Sequence, residues 1–137
     1  MATNQDIIEL VEFHKHLLDD ALKVSQNLLE ASKEGNAKAA DELATNRERL
    51  VNVITLTQNK IENLLGNISQ ANLNMIFIEQ LKAWQNHLKM VVGEISNIDQ
   101  EIVNYLVSAK DEVSKEISDV FKNKEMFKGY NLKNVSR

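Results

Sequence analysis

The chain has 137 residues, a net charge of −4, no cysteine and no proline. That length is one domain's worth of chain, and the missing cysteines exclude disulfides, thiol catalysis and cysteine-ligated metal. The acidic balance argues against nucleic acid as a partner, because binding phosphate needs a basic face.

Apolar residues make up 43% of the chain but aromatic residues only 5%, so the core is expected to be aliphatic. Proline costs about 3 kcal/mol inside a helix, and its complete absence favours long uninterrupted helices. Residues Met1 to Asp6 contain no basic stretch leading into an apolar one, so no secretory signal is expected there. The longest apolar run, Met75-Ile76-Phe77-Ile78, has four residues, far short of the ~20 that span a bilayer. The expectation is a cytoplasmic protein that does not enter membranes.

The first predicted helix covers about residues 4–34. Thr3-x-x-Asp6 is a candidate capping box. Apolar positions recur at Ile7, Leu10, Leu17, Ala21, Val24, Leu28 and Ala31, with His14 as the one polar member of the seam. Val11 and Leu18 widen the stripe, as a helix lying between two neighbours requires. Gly35 is placed to end it in the left-handed conformation. The second predicted helix covers about 36–65, with the seam Ala40, Leu43, Arg47, Leu50, Ile54, Thr57, Ile61, Leu64 and with Gly66 at its end. Two helices of similar length with a very short connection form an antiparallel hairpin. Arg47 is charged at a core position, where such a residue pairs, snorkels or sets register. The reading taken here is an ion pair that fixes the hairpin.

The third predicted helix runs from Ser69, a candidate N-cap, to about residue 122, leaving a tail at 123–137. Its seam is Phe77, Leu81, Trp84, Leu88, Val91, Ile95, Ile98, Ile102, shifting slightly to Leu106, Ala109, Val113, Ile117, Val120. A break at Ser96-Asn97, with Asp99 completing a second cap, would instead give four helices of similar length. The fold class is therefore all-α in a single domain: a hairpin plus one long third helix in a three-helix coiled-coil-like bundle, with a four-helix up-down bundle as the alternative. If the third helix is continuous it spans ~80 Å against ~45 Å for the hairpin, at 1.5 Å per residue. The stripe Ile102, Leu106, Val113, Ile117, Val120 and Phe121 then has no partner inside the hairpin. Burying each such side chain is worth about 1.5–3 kcal/mol, so a second copy, another protein or the tail is expected to cover it.

Residues 122–137 carry Lys122, Lys124, Lys128, Lys133 and Arg137 against Glu125, a net +4 that leaves −8 on the rest of the chain. The aromatic and apolar residues Phe127, Tyr130 and Leu132 in that segment are candidate anchors for docking it onto this molecule, a copy of it or a partner. The chemistry-bearing residues form no catalytic set. His14 and His16 are two apart and point to different helix faces, and no Glu-x-x-His stands in the chain, so no bundle-type di-metal site is expected. Trp84 and Phe77 sit on the core seam. No enzyme activity, metal or cofactor is expected.

Ile98-Asp99-Gln100-Glu101-Ile102, followed by Leu106, Val113, Ile117 and then Lys124-x-x-x-Lys128-Gly129-Tyr130-Asn131, resembles the FliT-like chaperones of bacterial flagellar type III export. A second similarity is Arg47-x-x-Leu50 on the second helix. The resemblance implies a helical chaperone that holds an exported flagellar subunit before secretion, the filament-cap protein in the FliT type and hook–filament junction proteins in the related FlgN type. It also implies contacts with the export ATPase or export gate, a client surface that includes Ile102–Phe121, and a tail, Lys124–Leu132, able to mask it. A different class of function stays open beside it: a structural coiled-coil adaptor that is an obligate homodimer.

Overall fold

A computed structural model describes the backbone of residues 2–124 and the side chains of residues 2–118. These residues form three α-helices, α1 (Asn4–Lys33), α2 (Ala37–Gly66) and α3 (Met75–Lys124), with one 3₁₀ turn (Gln70–Asn72) before α3. Among the described residues there is no strand, and no helix is long and apolar enough to cross a membrane. The protein is an all-α three-helix bundle.

Each connection follows from a few residues. Thr3 Oγ1 accepts from Asp6 N–H while the Asp6 carboxylate accepts from Thr3 N–H, which closes a capping box on α1. The Thr3 backbone bond holds the Asp6 carboxyl below the usual carboxylate range. Gly35 ends α1 at φ +69°, a conformation that costs a residue with a Cβ about 1–2 kcal/mol. Its N–H donates to Ser32 O at 3.2 Å and Asn36 N–H donates to Ala31 O at 3.0 Å, the bond pair of a Schellman motif. Asn36 then caps α2, with Oδ1 accepting from Ala39 N–H at 3.1 Å. The reversal between two 30-residue helices therefore takes three residues.

Two starts differ from the sequence expectation. Ser69 caps the 3₁₀ turn, accepting from Ala71 N–H, and not α3. Asn74 caps α3 instead, with Oδ1 accepting from Phe77 N–H at 2.9 Å. Gly66 is the last helical residue of α2 and keeps an ordinary negative φ, so it closes that helix without a left-handed turn. Helix α3 continues through Ser96 and Asn97 without reversing. The chain has three helices and not the four of the alternative, because nothing in 93–99 competes with a helix strongly enough to stop it.

Helix α1 lies between the other two and packs along both. Contacts of α1 with α3 and the turn before it keep a near-constant separation of 68 to 72 residues, from Asn4 with Asn72 through His14 with Trp84 and Asp19 with His87 to Lys33 with Tyr105. Helices α1 and α3 are therefore parallel neighbours, with α2 antiparallel to both. The core divides into two clusters. One joins Ile7, Val11, Ile61, Phe77 and Trp84, and the other joins Leu18, Ala21, Ile54 and Val91.

A polar layer fixes the three helices against one another. Arg47 of α2 donates through Nη1 to Asp99 Oδ1 of α3 at 2.5 Å and to Ser25 Oγ of α1 at 3.3 Å. Ser25 is fully buried and passes its own hydrogen to Ala21 O at 2.8 Å. Asp99 thus partners Arg47 and caps no helix. A charge-assisted bond in a partly buried site is worth about 1.5–3 kcal/mol. Arg47→Ala is expected to lower unfolding stability by about 1–3 kcal/mol, measured by urea denaturation. Asp99→Asn should show coupling with it of about 1 kcal/mol in a double-mutant cycle. Additive losses would show that the pair does not act as one unit.

A candidate protein-binding surface on the projecting half of α3

Helix α3 has 50 residues and each hairpin helix 30, so α3 outruns the hairpin by ~30 Å at 1.5 Å per residue. The level at which cover ends is marked by Tyr105, whose hydroxyl donates to Lys33 O at 2.7 Å. That carbonyl lies in the last turn of α1 and has no helical partner of its own. Past Leu106, which still faces the hairpin tip, the face of α3 that carries Trp84, Val91 and Ile98 against the hairpin continues with no helix beside it among the described residues.

The sequence-predicted residues lie along that face. Ile102 and Ile117 are half-buried, while Leu106 is 52% and Val113 54% exposed. Val120 and Phe121 belong to the last turns of the described helix, and their side chains lie outside the described residues, as do Phe127, Tyr130 and Leu132 of the tail. Arg47 is not part of this surface; it sits in the polar layer below it. Val103 and Val107, each 52% exposed, widen the apolar strip and were not picked out by the heptad spacing, since they fall a third of a turn to one side.

At 100° per residue the flanks differ in charge. The exposed residues Glu101, Glu112 and Glu116 fall along one edge of the stripe, beside Tyr105. Lys110 falls on the other, beside Val103 and Val107. At the base of the stripe is a cleft of about 270 Å³ between the hairpin tip and α3. Its walls are the small residues Ala31, Gly35, Ala37 and Ala40, with Leu106 facing them. The step where the hairpin stops thus forms a corner: an apolar helix face on one side and a notch of small side chains on the other.

The remaining chemistry-bearing residues lie elsewhere. His14 is fully buried, His16 is exposed, and His87 pairs with Asp19 at 2.8 Å. Among the described residues no group of three or more His, Asp or Glu side chains is placed to hold one metal ion. Trp84 and Phe77 are buried in the core, with 4% and 2% exposure. No protein-family model, no curated protein and no solved structure matches this chain.

If the stripe is a surface and not part of the folded core, polar substitutions there should be tolerated. Leu106→Asn and Val113→Asn are expected to change unfolding stability by no more than about 0.5 kcal/mol. Ile61→Ala in the core should lose about 2–5 kcal/mol. Urea denaturation of the three variants compares them directly, and a core-sized loss at Leu106 or Val113 would show that the stripe is already covered.

Proposed function

We propose that this protein is a cytoplasmic export chaperone of the flagellar type, which holds an exported flagellar subunit through the projecting half of α3 and acts by binding and not by catalysis. The observation that supports this reading most is the stripe Ile102, Leu106, Val113, Ile117. It is the uninterrupted continuation of a helix-packing face, and it extends past the end of every helix that could cover it from within the described bundle. A surface with that geometry accepts another helix. The edge formed by Glu101, Glu112 and Glu116 favours a client segment carrying Lys or Arg beside its apolar face, because charge complementarity sets register and steers encounter.

In this reading the client is a filament-cap or hook–filament junction protein, and the notch beside Leu106 takes one apolar side chain at the end of the client segment. The export ATPase or export gate is a further partner. The basic segment Lys124–Leu132, with Phe127 and Tyr130, competes for the same surface. The second reading, an obligate homodimer acting as a structural adaptor, rests on the same stripe and differs in what covers it. Light scattering at micromolar and sub-micromolar concentration separates the two, since an obligate dimer keeps its mass on dilution.

Calorimetric titration with a flagellar cap or junction protein tests the proposal. Full-length chain should bind, and Leu106→Asp with Val113→Asp should weaken binding by at least about tenfold, or about 1.4 kcal/mol. Equal affinity for the Asp variants would remove the stripe from the site, and no binding to either client class would remove the flagellar reading.

A further inference from the structure

We propose that His14 is an acid-sensitive latch at the joint between the two core clusters, holding the N-terminal half of α1 against α3 when its ring is neutral and releasing it when the ring is protonated. This device belongs to the fold and does not depend on the client reading above.

The geometry is specific to one protonation state. Trp84 Nε1–H donates to His14 Nδ1 at 3.0 Å, and the two rings meet edge to face with centroids 5.4 Å apart. An indole nitrogen can only donate, so Nδ1 must carry a lone pair, and the hydrogen of the neutral ring sits on Nε2. A second proton would go onto Nδ1. That would break the Trp84 bond and set two N–H groups against each other. It would also leave a charge at a position with 0% exposure, where Nε2 already has no hydrogen-bond partner.

Among the described residues no carboxylate pairs with the ring. One turn to either side on α1 stand Leu10, Val11, Leu17 and Leu18. Helix α2 brings Ile54 and Thr57 to this level, and α3 brings Trp84. Burial holds the ring's proton affinity below the ordinary histidine value and outweighs the Ile54 backbone, which favours the proton. The titratable pair further along the same two helices is Asp19 with His87, at 2.8 Å and partly exposed.

The position gives the proton a mechanical consequence. His14 stands between Val11 of one cluster and Leu18 of the other. The cluster nearer the hairpin turn is also held by Arg47 with Asp99 and by Tyr105 with Lys33. Among the described residues, the cluster nearer the N-terminus has the Asn4 to Asn72 bond, at 2.7 Å, as its comparable polar tie between α1 and the segment leading into α3.

The direction of the pH effect follows. Above the ordinary histidine value of 6.5, neither the closed nor the opened chain binds the proton, and stability does not change with pH through this group. Below it, the opened chain binds a proton that the closed one refuses, so stability falls with falling pH until the closed form's own lower value is reached.

The test uses the full chain and His14→Asn, which offers an acceptor in place of Nδ1 but cannot take a proton. Amide hydrogen exchange, corrected for intrinsic rate, is compared at pH 7.5 and 5.0 together with emission from Trp84, the only tryptophan. Acidification of the unmodified protein should raise exchange in residues 5–18 and 77–88, leave 40–54 and 91–103 protected, and shift Trp84 emission toward that of a solvated indole. His14→Asn should show neither change. The Asp19–His87 pair is present in both proteins and cancels in the comparison. Equal acid responses in the two proteins, or none in the unmodified one, would overturn the proposal. If His14→Asn fails to fold, nitrogen-15 shifts of the His14 ring in the unmodified protein decide. A neutral ring with the hydrogen on Nε2 at pH 6.5 supports the latch, and a protonated ring in the folded state contradicts it.

Discussion

A helix is covered only as far as its neighbours reach. Each residue adds 1.5 Å to a helix, so a hairpin of two 30-residue helices cannot follow a third of 50. The rest of the architecture takes its meaning from that inequality. Up to Tyr105 the apolar face of α3 is core, and beyond it the same face is surface. The Tyr105 hydroxyl on the Lys33 carbonyl closes the end of α1 and marks the boundary. The Schellman turn at Gly35 makes the boundary abrupt, because three residues turn the chain and the cleft at the tip is lined largely by Ala, Gly and Ser.

A long helix can also slide by a heptad against its neighbours, since aliphatic seams look alike at each step. Two polar layers oppose this. Arg47 with Asp99 and Ser25 joins all three helices at one level, and Trp84 with His14 joins two of them at another. A slip of seven residues would separate both sets and leave a partly exposed guanidinium and a buried indole N–H without partners, the second at a cost of about 1–3 kcal/mol. These layers hold the uncovered stripe at a defined height above the hairpin tip, which a binding corner requires.

Most of this architecture was legible in the sequence. Heptad spacing placed the three seams, the absence of proline argued for a continuous third helix, and Gly35 marked the turn. What the spacing could not supply was the local contest at helix starts. Ser69 and Asn74 are both capping residues; the 3₁₀ turn between them takes the first, so α3 begins later than the seam suggests. The partner of Arg47 was open to deduction and passed over. The hairpin puts Arg47 beside Ser25, and the spacing of about 70 residues between α1 and α3 then points to the region of Asp99, which serves as a cap only in the four-helix alternative. The bond between His14 and Trp84 follows from the same spacing, but its protonation requirement depends on ring orientation, which no sequence pattern carries. The notch at Leu106 depends on how closely the hairpin tip approaches α3, and that distance is set by packing and not by heptads.

The claim on which the account turns is that the projecting half of α3 and the hairpin tip together form the surface for an exported flagellar subunit. Amide hydrogen exchange of the full chain, alone and saturated with a filament-cap or hook–filament junction protein, tests it most directly. The account predicts new protection concentrated in residues 102–118 and in 31–41, with little change in α2 beyond residue 50 or in the first 20 residues of α1. Protection that instead falls on the base of the bundle, around 64–76, with 102–118 unchanged, would contradict it.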